Sequence, residues 1–522
     1  MLLRSARARF VSLQALSTVL LASACAATRP ATEPKAAPPV SADVGKLLTI
    51  DALYDPPDKR VDFSGNPPTN LVWLDDTHYL WPKSDKKTKK SEWLEVEADS
   101  GKSAPFGPVA PLEAALAALP KVGPERAGKL AHGEPDAWAG DRKALLFTIH
   151  GEKVDDPKEE DEGDLYVFSF ADAKVTRATN TPNEKEEEAE LSPDGKWIAF
   201  VRKNDLYVAE VATGTERRIT NDGGEKILNG KLDWIYQEEV FGRGTWRAFW
   251  WSPDSSRLAF LRLDEEGVPI YTLVDDVESP AQVETSPYPR AGDTNPKVRL
   301  GIANAASGAT EWIDFARYAT GDFLIVDVAW NPKGDLTFEV QDREQSWLDL
   351  DLVPGGAASV AVSLFRETTK AWVNVHGSPK WLGDGSFLWF SERSGWKHLY
   401  RYDGRGKLLG AVTAGTFEAR DLHGIDEKNG WVYFSGTERG TIGADEYRVN
   451  LDGTGLLRLT QATGTHGAKF NPSFTRFIDR WSDASTPTQV RLHRADGAEV
   501  RTIDANPVAA LKEYKLAKPE VL

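Results

Sequence analysis

"LSPDGKWIAFVRKNDLYVAEVATGTERRIT", residues 191–220, reads as strand, turn, strand, turn, strand. Apolar and polar residues alternate in short runs, parted by Pro-Asp-Gly, Lys-Asn-Asp and Ala-Thr-Gly, three clusters with turn chemistry. Its first half recurs as "WSPDSSRLAFLRLDEE" (251–266), "WNPKGDLTFEVQDRE" (330–344) and "FNPSFTRFIDRWSDAS" (470–485). More distant echoes are "WLGDGSFLWFSERSGWKHLYRYDGRG" (381–406) and "DEKNGWVYFSGTERGTIGADEYRVNLDGTGLLRLT" (426–460). Intervals of about 40 to 80 residues hold one or two four-stranded blades each, the period of an all-β protein built as a β-propeller with insertions.

A blade has two apolar faces and covers neither alone, so successive antiparallel blades stack around an axis. The 18 Trp are expected at those interfaces, as blade core rather than as ligand platforms. Helix is nearly absent; the best candidate, "PLEAALAALPKV" (111–122), is stopped by Pro120. The acidic stretches "DDPKEEDEGD" (155–164) and "EKEEEAE" (184–190) read as solvated loops, as does the basic "KSDKKTKK" (83–90). The eight His fall in unrelated repeats with no zinc-site spacing, so no metal or cofactor is expected, and His398 in "WKHLY" reads as blade structure.

A net charge of -16 with 41% apolar and 27% charged residues is that of a folded protein with a large core. It excludes nucleic acid as a partner, because phosphate binding needs Lys/Arg patches.

Residues 1–24 read as an export signal: Arg4, Arg7 and Arg9 precede an apolar run from Phe10 to Ala24, too short for the roughly 20 residues of a membrane span. "LASAC" then resembles the lipobox of bacterial lipoproteins, with Cys25, the sole cysteine, as the lipidated residue. Ala22 is an unusual choice within such a box, and the alternative is an ordinary cleaved signal with an incidental cysteine. Residues 25–45, rich in Ala and Pro, read as the lipidated Cys and its tether. The expected location is the bacterial cell envelope, lipid-anchored, on the outer membrane or facing the periplasm.

One segment is more specific than the repeats. "NGKLDWIYQEEVFGRG" (229–244), with "AFWWSPDSSRLAFLRLDEEGVPIY" (248–271), resembles the propeller domain of the dipeptidyl peptidase IV family of serine peptidases. "YPRAGDTNPKVRL" (288–300), "SERSGWKHLYRY" (391–402) and "YRVNLDGTGLLRLTQATGTHGAKFNP" (447–472) follow in family order. The resemblance, which runs over about 190–480, implies eight blades for a propeller placed over 46–505 and assigns the substrate's N-terminal ammonium to the pair Glu238 and Glu239. The chemistry suits the role: an ammonium carries three donors and a full charge, and two carboxylates in a partly dry cavity accept charge-assisted bonds while fixing the distance to the scissile carbonyl. Gln237 beside them reads as positional.

The dipeptide alone is uninformative, since Glu-Glu also stands at 159–160, 186–188 and 265–266, and Arg243 and Arg247 offer a purely structural neutralisation of the pair. The family's carbonyl-binding Arg has no counterpart between Arg142 and Arg177; Lys158 lies near its place but lacks the planar fork. The family's nucleophile lies in a Gly-x-Ser-x-Gly elbow. Here Gly101-Lys102-Ser103 is followed by Ala104 and Pro105, so no catalytic residue is assigned and these residues alone are expected not to cleave peptides. Residues 506–522 read as a segment leading toward an absent hydrolase domain.

Two functions stay open: the substrate-gating propeller of an exported dipeptidyl peptidase IV-like enzyme, or a stand-alone lipid-anchored propeller that binds peptides or a partner protein. The expected partners are a peptide with a free N-terminus, a separate α/β-hydrolase chain and the membrane, with a homodimer left open.

Overall fold

The computed structural model describes residues 45–520, apart from 57–58, 85–90, 121, 134, 141–142, 151–162, 182, 278 and 357–359. The expected signal and Cys25, nearly all of the expected tether, Lys158 and most of the stretches 83–90 and 155–164 therefore lie outside the described residues.

Among the described residues eight antiparallel sheets follow one another along the chain as blades, and a ninth, the two-stranded hairpin of Ile270–Asp275 and Gln282–Pro287, is inserted within blade 4. Blade 1 runs from Val72 to Pro105, blade 2 from Ala137 to Arg177, blade 3 from Glu187 to Arg218 and blade 4 from Ile227 to Trp312. Blades 5 to 8 span Phe323–Thr368, Lys380–Ala411, Ala419–Arg458 and Ala468–Asp504. The expected eight-bladed propeller is present, with four strands in each blade except blade 4, where a fifth short strand appears.

Blade 3 shows why the repeat folds this way. Its first turn is held by Ser192, whose hydroxyl donates to Asp194 and accepts from the Trp197 N–H, and Gly195 takes the positive φ of 70° that closes it. The second turn is a two-residue hairpin in which Lys203 and Asn204 both have positive φ, 51° and 62°, the geometry that matches strand twist. At the start of the third strand a buried polar residue ties to a Thr after the fourth: Asp205 to Thr220, Asp445 to Thr460, and His398 to Thr413 at 3.0 Å. His398 thus stands where other blades carry Asp, and its other nitrogen reaches the Gly415 carbonyl, which accounts for it as blade structure.

Adjacent blades share apolar clusters. Val201, Leu206 and Val208 of blade 3 meet Phe249, Leu258 and Phe260 of blade 4, all fully buried, each contributing roughly 1.5–3 kcal/mol for the larger side chains. Trp73, Trp93, Trp251, Trp389 and Trp481 are buried, as expected for blade core. Others are only half-buried and take an Arg across the ring: Arg299 over Trp312 and Arg366 over Trp347, both at 4.1 Å. The ring closes where Leu71, Trp73 and Tyr79 pack on Ile478, Val490 and Leu492. There Trp73 donates to the Lys469 carbonyl and Arg476 forms a two-point pair with Asp99 at 2.8 Å.

Two expectations need correction. The helical candidate is the first of a pair, Val109–Ala117 and Gly123–His132, inserted between blades 1 and 2. "EKEEEAE" is not a solvated loop, for Glu187–Leu191 is the first strand of blade 3. Its acids have partners: Glu186, buried, accepts from Thr179, Thr181 and Arg202, while Glu187 pairs with Lys231 and Glu190 with Arg247. Glu188, at φ 56°, is the bulged residue of that strand.

Candidate functional site

The first strand of blade 4 is interrupted. Ile227–Asn229 and Phe249–Trp251 both pair with Arg257–Asp264, and the chain between them leaves and returns opposite Leu261. Gly230 N–H donates to the Leu261 carbonyl, Leu261 N–H to that of Ala248, and Ala248 N–H to that of Gly230, each at 2.9 Å. Gly230 has φ 71°, and a Cβ there would stand 3.0 Å from Leu206, so the exit point requires glycine. Lys231 and Arg247 bridge across the neck.

Beyond the neck the chain forms a π-helical turn, Tyr236–Val240, closed by the Phe241 N–H on the Tyr236 carbonyl at 2.8 Å. Asp233 starts it by accepting from the Tyr236 N–H at 3.0 Å. The apolar neighbours of the Glu pair anchor the turn: Leu232 and Tyr236 are fully buried in the core shared by blades 4 to 6, and Ile235, Val240 and Phe241 pack against it. Buried Gln237 accepts from the Gly244 N–H at 3.0 Å, the positional part expected of it.

The two carboxylates differ. Glu238, with 17% of its side chain exposed, accepts from Trp234 Nε1 at 2.5 Å and forms an ion pair with Arg243. Glu239 is exposed, and none of its neighbours among the described residues forms a hydrogen bond or ion pair with it. The structural neutralisation considered for the pair is therefore half present, since Arg243 takes Glu238 alone and Arg247 turns instead to Glu190 at 2.9 Å. Tyr288 stands beside both, its ring edge-on to Trp234 at 5.6 Å. Burial, then the charges of Glu239 and Glu238, push its phenol above the ordinary tyrosine value, with Arg243 opposing them. Trp234 and Tyr288 lie in segments quoted for the family resemblance, but nothing in residue type or spacing marked them as partners of the pair, whereas Arg243 is the neutralising cation that the sequence offers.

Beneath the turn sit two poorly compensated acids. Burial pushes Asp233 up to about 6, and one of its oxygens has no hydrogen-bond partner. Burial, then the Asp233 charge, pushes Glu265 up to about 8. Among the described residues no group of three His, Cys, Asp or Glu side chains is placed to hold a metal ion.

The fold is similar to that of the crystal structure of Porphyromonas gingivalis dipeptidyl peptidase 4, with a TM-score of 0.70 and 24% identity over 86% of this chain and 64% of that one. A putative dipeptidyl aminopeptidase IV from Bacteroides ovatus gives a TM-score of 0.68 at 21% identity, over 88% of this chain and 62% of that one. At these identities the likeness is one of fold. Among curated relatives, dipeptidyl peptidase 4 of Trichophyton tonsurans is 30% identical over 346 residues, 63% of this chain and 44% of the relative. The probable dipeptidyl peptidase 4 of Aspergillus flavus is 30% identical over 347 residues, with the same shares. This chain thus spans less than half the length of the curated relatives it matches. Residues 140–488, from just after the first strand of blade 2 to just before the third strand of blade 8, match the model of the dipeptidyl peptidase IV N-terminal region, and the chain belongs to that family.

Proposed function

We propose that Glu238 and Glu239 hold the free N-terminal ammonium of a peptide, and that the propeller gates substrate for a dipeptidyl peptidase IV-like serine peptidase. The observation that carries this reading is the exposed Glu239, without a partner among the described residues, next to a Glu238 fixed on a turn whose apolar side is locked into the core. Family membership supports it. A carboxylate so held accepts charge-assisted bonds without reorganising, and the aromatic edges of Trp234 and Tyr288 lower the local polarity. The turn sets where the peptide begins; cutting its backbone needs a nucleophile, which we assign to a hydrolase domain rather than to the propeller. The export signal and Cys25 support a lipid-anchored enzyme of the cell envelope.

The test is titration of a short peptide against its N-acetylated twin. The free-amine peptide is expected to bind more tightly by about tenfold or more, as for loss of a charge-assisted bond; equal affinities would overturn the reading. A lipid-anchored propeller that only binds peptides would show the same preference, and a chromogenic dipeptidyl amide assay with an added hydrolase chain separates the two.

A further inference from the structure

We propose that Arg243 selects the first residue of the bound peptide, disfavouring Lys and Arg there and favouring Asp and Glu. The inference rests on the amine-binding reading of Glu238 and Glu239 and goes on to name the side-chain class that the same notch admits.

Arg243 lies at a fixed tip. Gly242 and Gly244 on either side have φ of 97° and 87°, and neither would meet any atom if it carried a Cβ, so these glycines serve backbone direction rather than packing. Gly244 is tied to Gln237, and the Thr245 N–H to the Gly242 carbonyl at 3.1 Å. From this tip the guanidinium folds back onto Glu238 while 73% of the side chain stays exposed. The turn is already held by Asp233, Gln237, the Phe241 bond and the buried face. An ion pair this exposed adds little to stability.

Its effect falls on charge. Glu238 and Glu239 together carry two negative charges and Arg243 returns one, leaving a net single charge that matches one α-ammonium. The first residue's side chain branches from the carbon that bears this ammonium, so its far end sweeps the rim where Arg243 lies. A second cation there meets a guanidinium instead of a free carboxylate, whereas a carboxylate finds donors, since a guanidinium has five N–H groups and Glu238 does not use them all. The cations at the neck are paired elsewhere, Lys231 with Glu187 and Arg247 with Glu190.

Peptides differing only in a first residue of Glu, Ala or Lys, each with an N-acetylated twin, are titrated calorimetrically at low salt into the full chain and into Arg243→Gln and Arg243→Lys. The wild type is expected to bind Glu-first more tightly than Ala-first, and Lys-first about tenfold more weakly than Ala-first, about 1.4 kcal/mol. Arg243→Gln should abolish or invert the Lys penalty with an unchanged melting temperature, and Arg243→Lys should keep the ranking. An unaltered ranking in Arg243→Gln, with free amines still preferred, would overturn this inference alone. Equal binding of free and acetylated peptides would instead strike at the amine notch itself.

Discussion

Lys231 donates to both carboxylate oxygens of Glu187, at 2.9 and 2.8 Å, and so pins the root of the Glu238–Glu239 excursion to the first strand of blade 3. Burial alone raises Glu187, but Lys231 and Lys185 outweigh it and hold the carboxyl below its ordinary value. Both partners are less than a fifth exposed, at 16% and 19%. Lys231→Met is expected to cost about 1–3 kcal/mol, below the range for a fully buried pair because water still reaches it. Urea unfolding checks the cost, and peptide titration checks whether the notch shifts.

Glu239→Gln is expected to weaken free-amine binding by about 1–3 kcal/mol with no loss of stability, because the side chain is exposed and forms no hydrogen bond or ion pair with the described residues. Glu238→Gln should weaken binding too, and should also release Arg243. Calorimetric titration with thermal melts on the same samples separates the effects; unfolding of Glu239→Gln without loss of binding would contradict the assignment.

Glu265 gives a pH dependence with a definite sign. Its folded value of about 8 lies above the ordinary 4.5, so the folded chain keeps a proton that the unfolded chain has lost. The stability this group provides is complete below its unfolded value and is lost as pH rises through about 8. Asp233 acts in the same direction up to about 6. The unfolding free energy should fall between these limits, with Glu265 contributing a slope approaching about 1.4 kcal/mol per pH unit, which Glu265→Gln should remove.

Leu492 is fully buried at the junction of blades 8 and 1. Leu492→Ala is expected to cost about 2–5 kcal/mol by urea unfolding. Should the change prove no larger than for an exposed position such as Leu409, the apolar packing at this junction would not stabilise the ring.

Cys25→Ser tests the anchor: membrane fractions of an expressing bacterium should lose the protein to the soluble envelope fraction. Unchanged fractionation would defeat the lipid-anchor reading.

The blades were legible because each repeat carries its own turn chemistry, as Ser192, Asp194 and Gly195 show. What escaped notice depends on residues far apart in sequence. Glu187 and Glu190 looked solvated because their cations, Lys231 and Arg247, come from the next blade. The helix Gly123–His132 is amphipathic but short, with a small-residue buried face of Ala127 and Ala131 that gives little periodic signal. The Glu pair was visible from its framed motif, whereas the inequality of its members depends on Arg243 folding back at a glycine-flanked tip.

The contiguous blades and the side-chain seam between the first and last of them have a topological consequence. Among the described residues no strand is exchanged across the closure, and the two ends of the described chain run side by side, with Lys46 and Tyr514 forming a short parallel bridge. A linker across that bridge, with a new opening cut between any other two blades, leaves every sheet and every blade interface intact. The molecule is thus a cyclic necklace with a movable clasp, and circular permutants opened at the different junctions would rank those junctions by strength.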